Sequence, residues 1–116
     1  MLPKKNRLTT KEFSEVFSDG KTFSSNAFTL RYTKKKNIKN TKCSFVVSKK
    51  IAKKAVERNK LRRAGYFILS EIKDSVSLGS SCIFFLKKEG KNLSPSEIKI
   101  EIKNLLRKAG VLNNIP

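Results

Sequence analysis

Ser48-Lys49-Lys50-Ile51-Ala52-Lys53-Lys54-Ala55-Val56-Glu57-Arg58-Asn59-Lys60-Leu61-Arg62-Arg63 is the stretch from which the chain is most readily understood. From Lys49 to Arg63, 15 residues carry eight basic side chains and one acid, Glu57. The run passes from a polar loop into a periodic pattern that predicts a long helix over residues 55–73. At about 100° per residue, Leu61, Ala64, Ile68 and Ile72 fall within an apolar arc of roughly 80°. Arg58, Arg62, Tyr66, Asn59 and Arg63 fall on a separate arc of roughly 140°. The helix therefore has a core side and a basic side.

Upstream, Cys43 to Val47 reads as a strand. Residues 27–33 alternate, with Phe28, Leu30 and Tyr32 on one face and Thr29, Arg31 and Thr33 on the other, as in a half-exposed strand. The polar, lysine-rich loop from Lys34 to Lys42 predicts an antiparallel hairpin between these two strands. A short helix is expected over about residues 9–18. Thr9 and Glu12 have capping-box spacing, Phe13, Val16 and Phe17 follow at helical spacing, and Asp19-Gly20 ends the pattern.

Downstream, Cys82-Ile83-Phe84-Phe85-Leu86 is an uninterrupted apolar run, which marks a strand buried on both faces. It should lie centrally or beside the second strand. Ser94-Pro95-Ser96-Glu97 opens the last helix: Ser94 caps, Pro95 takes the first helical position, and Leu93 and Ile98 staple the start. Ile98, Ile102, Leu105 and Leu106 carry its apolar stripe to Gly110. The order helix-strand-strand-helix-strand-helix predicts an α+β two-layer sandwich. The 116 residues make one domain, residues 1–116, with about 1–6 and 111–116 expected as flexible tails.

Charge limits the function. The chain has 27 Lys and Arg against 9 Asp and Glu, a net +18. A compact chain so charged repels itself and calls for a polyanionic partner. No window approaches 18 consecutive apolar residues, so no membrane span is expected. The N-terminus lacks the apolar stretch of a secretory signal. Cys43 and Cys82, without Cys-x-x-Cys spacing, read as free thiols of an intracellular, cytoplasmic protein.

A protein active site is not visible. There is no histidine, hence no His base and no Ser-His or Cys-His pair. Asp19 and Asp74 lie at element ends, and the five glycines form no phosphate loop. Glu97 and Glu101 share a helix face but read as a cap and a surface charge. No catalytic residue and no metal ligand is assigned to the polypeptide. The equipment present is for binding. Lys49, Lys50, Lys53, Lys54, Arg58, Asn59, Lys60, Arg62 and Arg63 form the candidate RNA-binding set. Lysine neutralises phosphate, arginine offers a planar fork, and asparagine reads a 2′-hydroxyl or base edge. The aromatic pairs Phe13/Phe17 and Phe28/Tyr32 are either core or a stacking platform for single-stranded nucleic acid.

The run Ser48–Arg63 resembles the signature of the bacterial ribonuclease P protein component. That family carries a Lys-Lys segment after a strand, then an Ala, then Arg-Asn-Arg/Lys-aliphatic-Lys/Arg-Arg. Arg7-Leu8, Phe13-x-x-x-Phe17 and Gly20 match its opening helix, and the resemblance covers about residues 6–108. It implies a small mixed sheet with an unusual left-handed crossover carrying the Arg-Asn segment. It implies that the catalytic ribonuclease P RNA holds Mg²⁺ and cleaves, with no cofactor on the protein and no obligate protein partner. It also implies that the 5′ leader of precursor tRNA lies in a cleft lined by Phe13, Phe17, Phe28 and Arg31. The chain departs from the family pattern at three positions. Ala52 stands where many members have Gly. Tyr66 stands where Arg is frequent, which moves one RNA contact toward stacking. Arg31 stands where some members have an aromatic, which makes leader binding more electrostatic. A ribosomal or other structural RNA-binding protein is the alternative on charge and size; a DNA-binding regulator lacks helix-turn-helix spacing here.

Overall fold

A strand with no polar face belongs in the middle of a sheet, and Cys82–Leu86 lies there. The computed structural model describes residues 2–35 and 40–112. The chain forms α1 (Thr10–Asp19), β1 (Lys21–Ser24), β2 (Phe28–Lys34), β3 (Lys42–Val46), α2 (Ala55–Ile72), β4 (Ser80–Leu86) and α3 (Pro95–Ala109). The strands make one sheet in the order β1-β2-β4-β3. β4 runs antiparallel to β2, with Leu30 opposite Phe84, and parallel to β3, with Phe45 opposite Phe84. The architecture is α+β with a mixed sheet.

This order corrects the expected hairpin. β2 and β3 are not neighbours, because β4 lies between them. The physical reason is the composition of β4, whose residues Ser80 to Phe84 are all buried. At a sheet edge that strand would expose both backbone groups and apolar side chains. The connection from β2 to β3 therefore steps across two strand spacings, about 10 Å, instead of turning tightly. Residues 36–39 of this connection lie outside the described residues. The parallel β3–β4 pair needs a crossover, and α2 supplies it.

Side-chain alternation sends the strands' residues to two different environments. Phe28, Leu30, Cys43, Phe45, Cys82 and Phe84 enter one continuous core with Ile68, Leu69 and Ile72 of α2 and Ile102, Leu105 and Leu106 of α3. Each such large apolar side chain contributes about 1.5–3 kcal/mol on full burial. The two-layer expectation describes this side. The other face carries Phe85 and Arg31, and α1 covers part of it through Phe13 and Phe17.

The helix ends follow the sequence. Thr9 N–H donates to Glu12 Oε1 at 2.9 Å and Glu12 N–H to Thr9 Oγ1 at 3.2 Å. Ser94 and Glu97 repeat the reciprocal arrangement at 2.9 and 3.3 Å. Gly110 ends α3 at φ 75°, a left-handed cap suited to glycine.

Two features escape the pattern. β1 is four residues long with one partly buried apolar side chain, Phe23, too short for alternation to show. Residues 2–6, expected within a tail, are anchored at both ends, with Pro3, Lys4 and Lys5 exposed between. Leu2 is buried in the core, and Asn6 Nδ2 donates to the Thr41 carbonyl at 2.8 Å. Arg7 bridges Cys43, and Leu8 N–H donates to the Cys43 carbonyl at 3.3 Å, so this segment covers the outer edge of β3. A single leucine beside one proline and two lysines carries no periodic signal. At the other end Val111 is buried, and residues 113–116 lie outside the described residues.

Gly65 marks where α2 meets the sheet. A Cβ there would sit 2.4 Å from Cγ of the Phe45 ring. Propensity alone favours Gly65→Ala by about 1 kcal/mol. The clash dominates, because Phe45 is 2% exposed and T-packed on Phe28 at 5.6 Å. Gly65→Ala is expected to lose roughly 1–3 kcal/mol in urea denaturation; an unchanged or raised midpoint would show that α2 does not rest on Phe45 in this way.

Candidate nucleic-acid interface

The parallel pairing of β3 and β4 decides where the basic residues meet. Parallel strands end on the same side of a sheet. Val46 is opposite Phe85, so the chain leaving β3 and the chain leaving β4 emerge together. Lys50, Lys53 and Lys54 from the first exit face Lys88 and Lys91 from the second across an open cavity of about 850 Å³. Lys88 and Lys91 were not singled out from the sequence. They are separated from the basic run by the whole of α2 and β4, and only the strand order brings them in.

The first turn of α2 opens into this lysine cluster. Lys54 occupies the cap position without a side-chain bond to the turn. Free N–H groups and the positive end of the helix dipole are thus surrounded by lysines, an arrangement that attracts anions such as phosphate. The Glu57 carboxylate lies 3.3 Å from Lys91 Nζ and joins the two walls.

The Arg-Asn segment is partly built into the fold. Arg58 Nη1 donates to the carbonyls of Ala52 and Lys53 at 3.0 and 2.8 Å, fixing the loop before the helix. Ala52 is fully buried, so this loop is packed as well as hydrogen-bonded. Arg62 Nη2 donates to Asn59 Oδ1 at 2.8 Å, which takes the acceptor foreseen for a 2′-hydroxyl. Lys49, Lys50, Lys53, Lys54, Lys60, Arg62 and Arg63 are exposed; Arg58 and Asn59 are half-buried. Tyr66 is held within the fold too. Its hydroxyl lies 3.4 Å from that of Ser44, and the Arg7 guanidinium lies 5.0 Å from its ring centroid.

The aromatic constellation divides. Phe28 is 0% exposed and packs on Phe45 and Phe84, so it cannot line a cleft. Its place on the even-numbered face of β2 carries it into the core. Phe85, on the opposite face of β4, is the sheet residue that meets Phe13 and Phe17. Its ring meets Phe13 at 6.3 Å and Phe17 at 6.1 Å, both edge-on, while Phe13 and Phe17 stack at 6.3 Å. Phe17 remains 53% exposed, a ring held by neighbours yet open to solvent. Stacking on such a ring is worth about 1–3 kcal/mol per base. Within the apolar run 82–86, nothing in composition separates Phe85 from Phe84; only the register does.

Arg31 stands under this cluster. Its Nη1 donates to Thr22 Oγ1 at 2.8 Å and its Nη2 to the Gly20 carbonyl at 3.0 Å. Its guanidinium carbon lies 5.5 Å from the Phe17 centroid. Arg31 thus pins the end of α1 and braces Phe17. Two ion pairs hold the rest of α1 over the sheet: Glu12 with Lys42, and Glu15 with Lys35 at 2.8 Å. The hydrogen bonds from Lys42 and from the Thr9 backbone keep the Glu12 carboxyl below its ordinary range, and Lys35 lowers Glu15.

These acids are engaged with lysines, and Glu97 is engaged with its helix cap. Among the described residues no group of three or more His, Cys, Asp or Glu could hold a metal ion. Among them, too, no helix is long and apolar enough to cross a membrane.

The sequence and the fold are similar to those of known proteins. The Ribonuclease P family model matches residues 2–110. A ribonuclease P protein component from Pseudanabaena is 30% identical, covering 97% of this chain and 98% of the relative. One from Clostridium kluyveri is 36% identical over 86% of this chain and 89% of its own length. The fold is shared with the ribonuclease P protein of Staphylococcus aureus, with TM-score 0.80 at 24% identity over 93% and 98% of the two chains. It is shared with that of Thermotoga maritima, with TM-score 0.77 at 23% identity over 88% and 96%. With a family model spanning nearly every described element, the chain belongs to the ribonuclease P protein family, the protein component of the tRNA-processing endoribonuclease.

Proposed function

We propose that this chain binds the catalytic RNA of ribonuclease P through the lysine-lined end of its sheet. On this reading it guides the single-stranded 5′ leader of precursor tRNA across the Phe13–Phe17–Phe85 cluster. The observation that carries the reading is the shared location. Exposed Phe17 sits over Phe85, and Phe85 is one residue from the β4 exit that delivers Lys88 to the lysine cavity. A single strand stacked on the ring would have cations ready for its phosphates.

Residue chemistry agrees with the division of labour that the family resemblance implies. The chain has no histidine, and its cleft acids Glu12 and Glu15 are paired with lysines. As the family resemblance implies, Mg²⁺ and the cleavage step belong to the RNA subunit, and the protein acts by binding, in the cytoplasm. A net +18 lowers repulsion between two polyanions, catalytic RNA and substrate. Leader contact favours precursor over the leaderless product.

Purified protein without RNA is expected to leave precursor tRNA intact and to stimulate its cognate RNA subunit most strongly at low Mg²⁺. Cleavage by RNA-free protein would sink the proposal. Arg58→Ala with Arg62→Ala should weaken assembly and flatten its salt dependence. Because Arg58 also fixes the loop, Arg62→Ala alone is the cleaner probe. It should reduce the log–log salt slope by about 0.7–0.9 for each phosphate left without its cation. An affinity unchanged across the salt series would remove this arginine from the interface.

A further inference from the structure

Cys43 and Cys82 are the only cysteines of the chain, and the RNA-binding reading makes no use of them. They are register partners on adjacent strands, Cys43 of β3 opposite Cys82 of β4. Both thiols are free, and both side chains lie on the core face, 2% and 0% exposed. Neighbouring strands lie about 4.8 Å apart, within the Cα separation of roughly 4.4–6.8 Å that a disulfide accepts. The hydrogen bond to Cys43, followed by burial, pushes the Cys82 thiol well above its ordinary range. In the closed fold the pair is therefore shielded and poorly ionised.

The bond would link the two strands that frame the crossover. Segment 43–82 contains the whole basic run and α2. The same basic run makes the RNA-free chain repel itself. A net +18 favours opening of the free protein, whereas a polyanion bound only by the folded form holds it closed. Opening is what brings the thiols to solvent.

We propose that Cys43 and Cys82 form a dithiol–disulfide site, oxidised by a low-molecular-weight disulfide, whose access is gated by RNA occupancy. The gate, though not the site, rests on the RNA-binding reading. One cysteine thiolate attacks the small disulfide, forming a mixed disulfide and releasing one small thiolate. The second cysteine thiolate attacks the protein sulfur of that mixed disulfide and expels the other. The protein loses two protons and two electrons, and the small disulfide becomes two thiols. The product is a stapled crossover that holds β3 against β4 in protein lacking RNA.

The test uses reduced full-length protein and oxidised glutathione at neutral pH, quenched with acid and read by intact mass and peptide mapping. It is run alone, with transcribed catalytic RNA, and with sodium chloride at matched ionic strength. Free protein should give a monomer lighter by two hydrogens, with the Cys43 and Cys82 peptides linked. This product should melt at a higher temperature and revert with dithiothreitol. Bound RNA should slow its formation by about tenfold or more, as ligand linkage requires at tight occupancy. Cys82→Ala should yield no intramolecular bond. Glutathione adducts, dimers or no reaction in the wild-type chain, while both thiols alkylate in urea, would overturn the site. Equal rates with and without RNA, in samples where filter binding shows the RNA bound, would overturn the gate. No binding in that same assay would instead overturn the RNA-binding reading.

Discussion

Burial of β4 on both faces is the constraint from which the rest of the structure follows. Cys82, Phe84 and Leu86 need one apolar layer, and Ile83 and Phe85 need another. α2 and α3 provide the first. The second is only partly provided, because α1 is a ten-residue helix laid over one region of the sheet. The Phe13–Phe17–Phe85 cluster lies where α1 meets this face, and Phe17 stays open to solvent there. A fully covered face would bury the Phe17 ring as well. The parallel neighbour β3 then makes both strand exits open on the same end, where the lysines gather.

Much of this was legible in the sequence, and the parts that were not share a cause. Local signals held. The Thr9–Glu12 and Ser94–Glu97 capping boxes and the Asp19-Gly20 stop reflect contacts within a few residues, and the apolar stripe of α3 is a pattern that repeats every turn. Pairing between distant segments was harder. The lysine-rich loop between β2 and β3 suggested a hairpin, but the preference of β4 for the centre overrode it. The edge cover by Leu2 to Leu8 and the four-residue β1 were too short to carry a period.

The candidate site shows the same division. The basic run was plain from composition, yet the partners Lys88 and Lys91 came only from strand order. Phe13 and Phe17 were placed by helical spacing. Phe28 lies in the core and Phe85 lies beside Phe13 and Phe17, because alternation fixes which residues share a face but not which face is the core. The sequence places Arg58 in the candidate RNA-binding set and Arg31 in the candidate leader cleft. In the fold each donates to backbone carbonyls, and part of what they contribute is shape. A strongly basic protein has few carboxylates to order its cations, so carbonyls and aromatic rings take that part.

The central claim is that the α1-covered face of the sheet, not the opposite helical face, receives single-stranded RNA. It is tested most directly by photocrosslinking within the assembled holoenzyme. Precursor tRNA would carry a photoreactive nucleotide in its 5′ leader, and the crosslinked peptides would be mapped by mass spectrometry. The account predicts crosslinks on α1 around Phe13 and Phe17 and on β4 around Phe85. Crosslinks confined to α3, between Pro95 and Ala109, would contradict it.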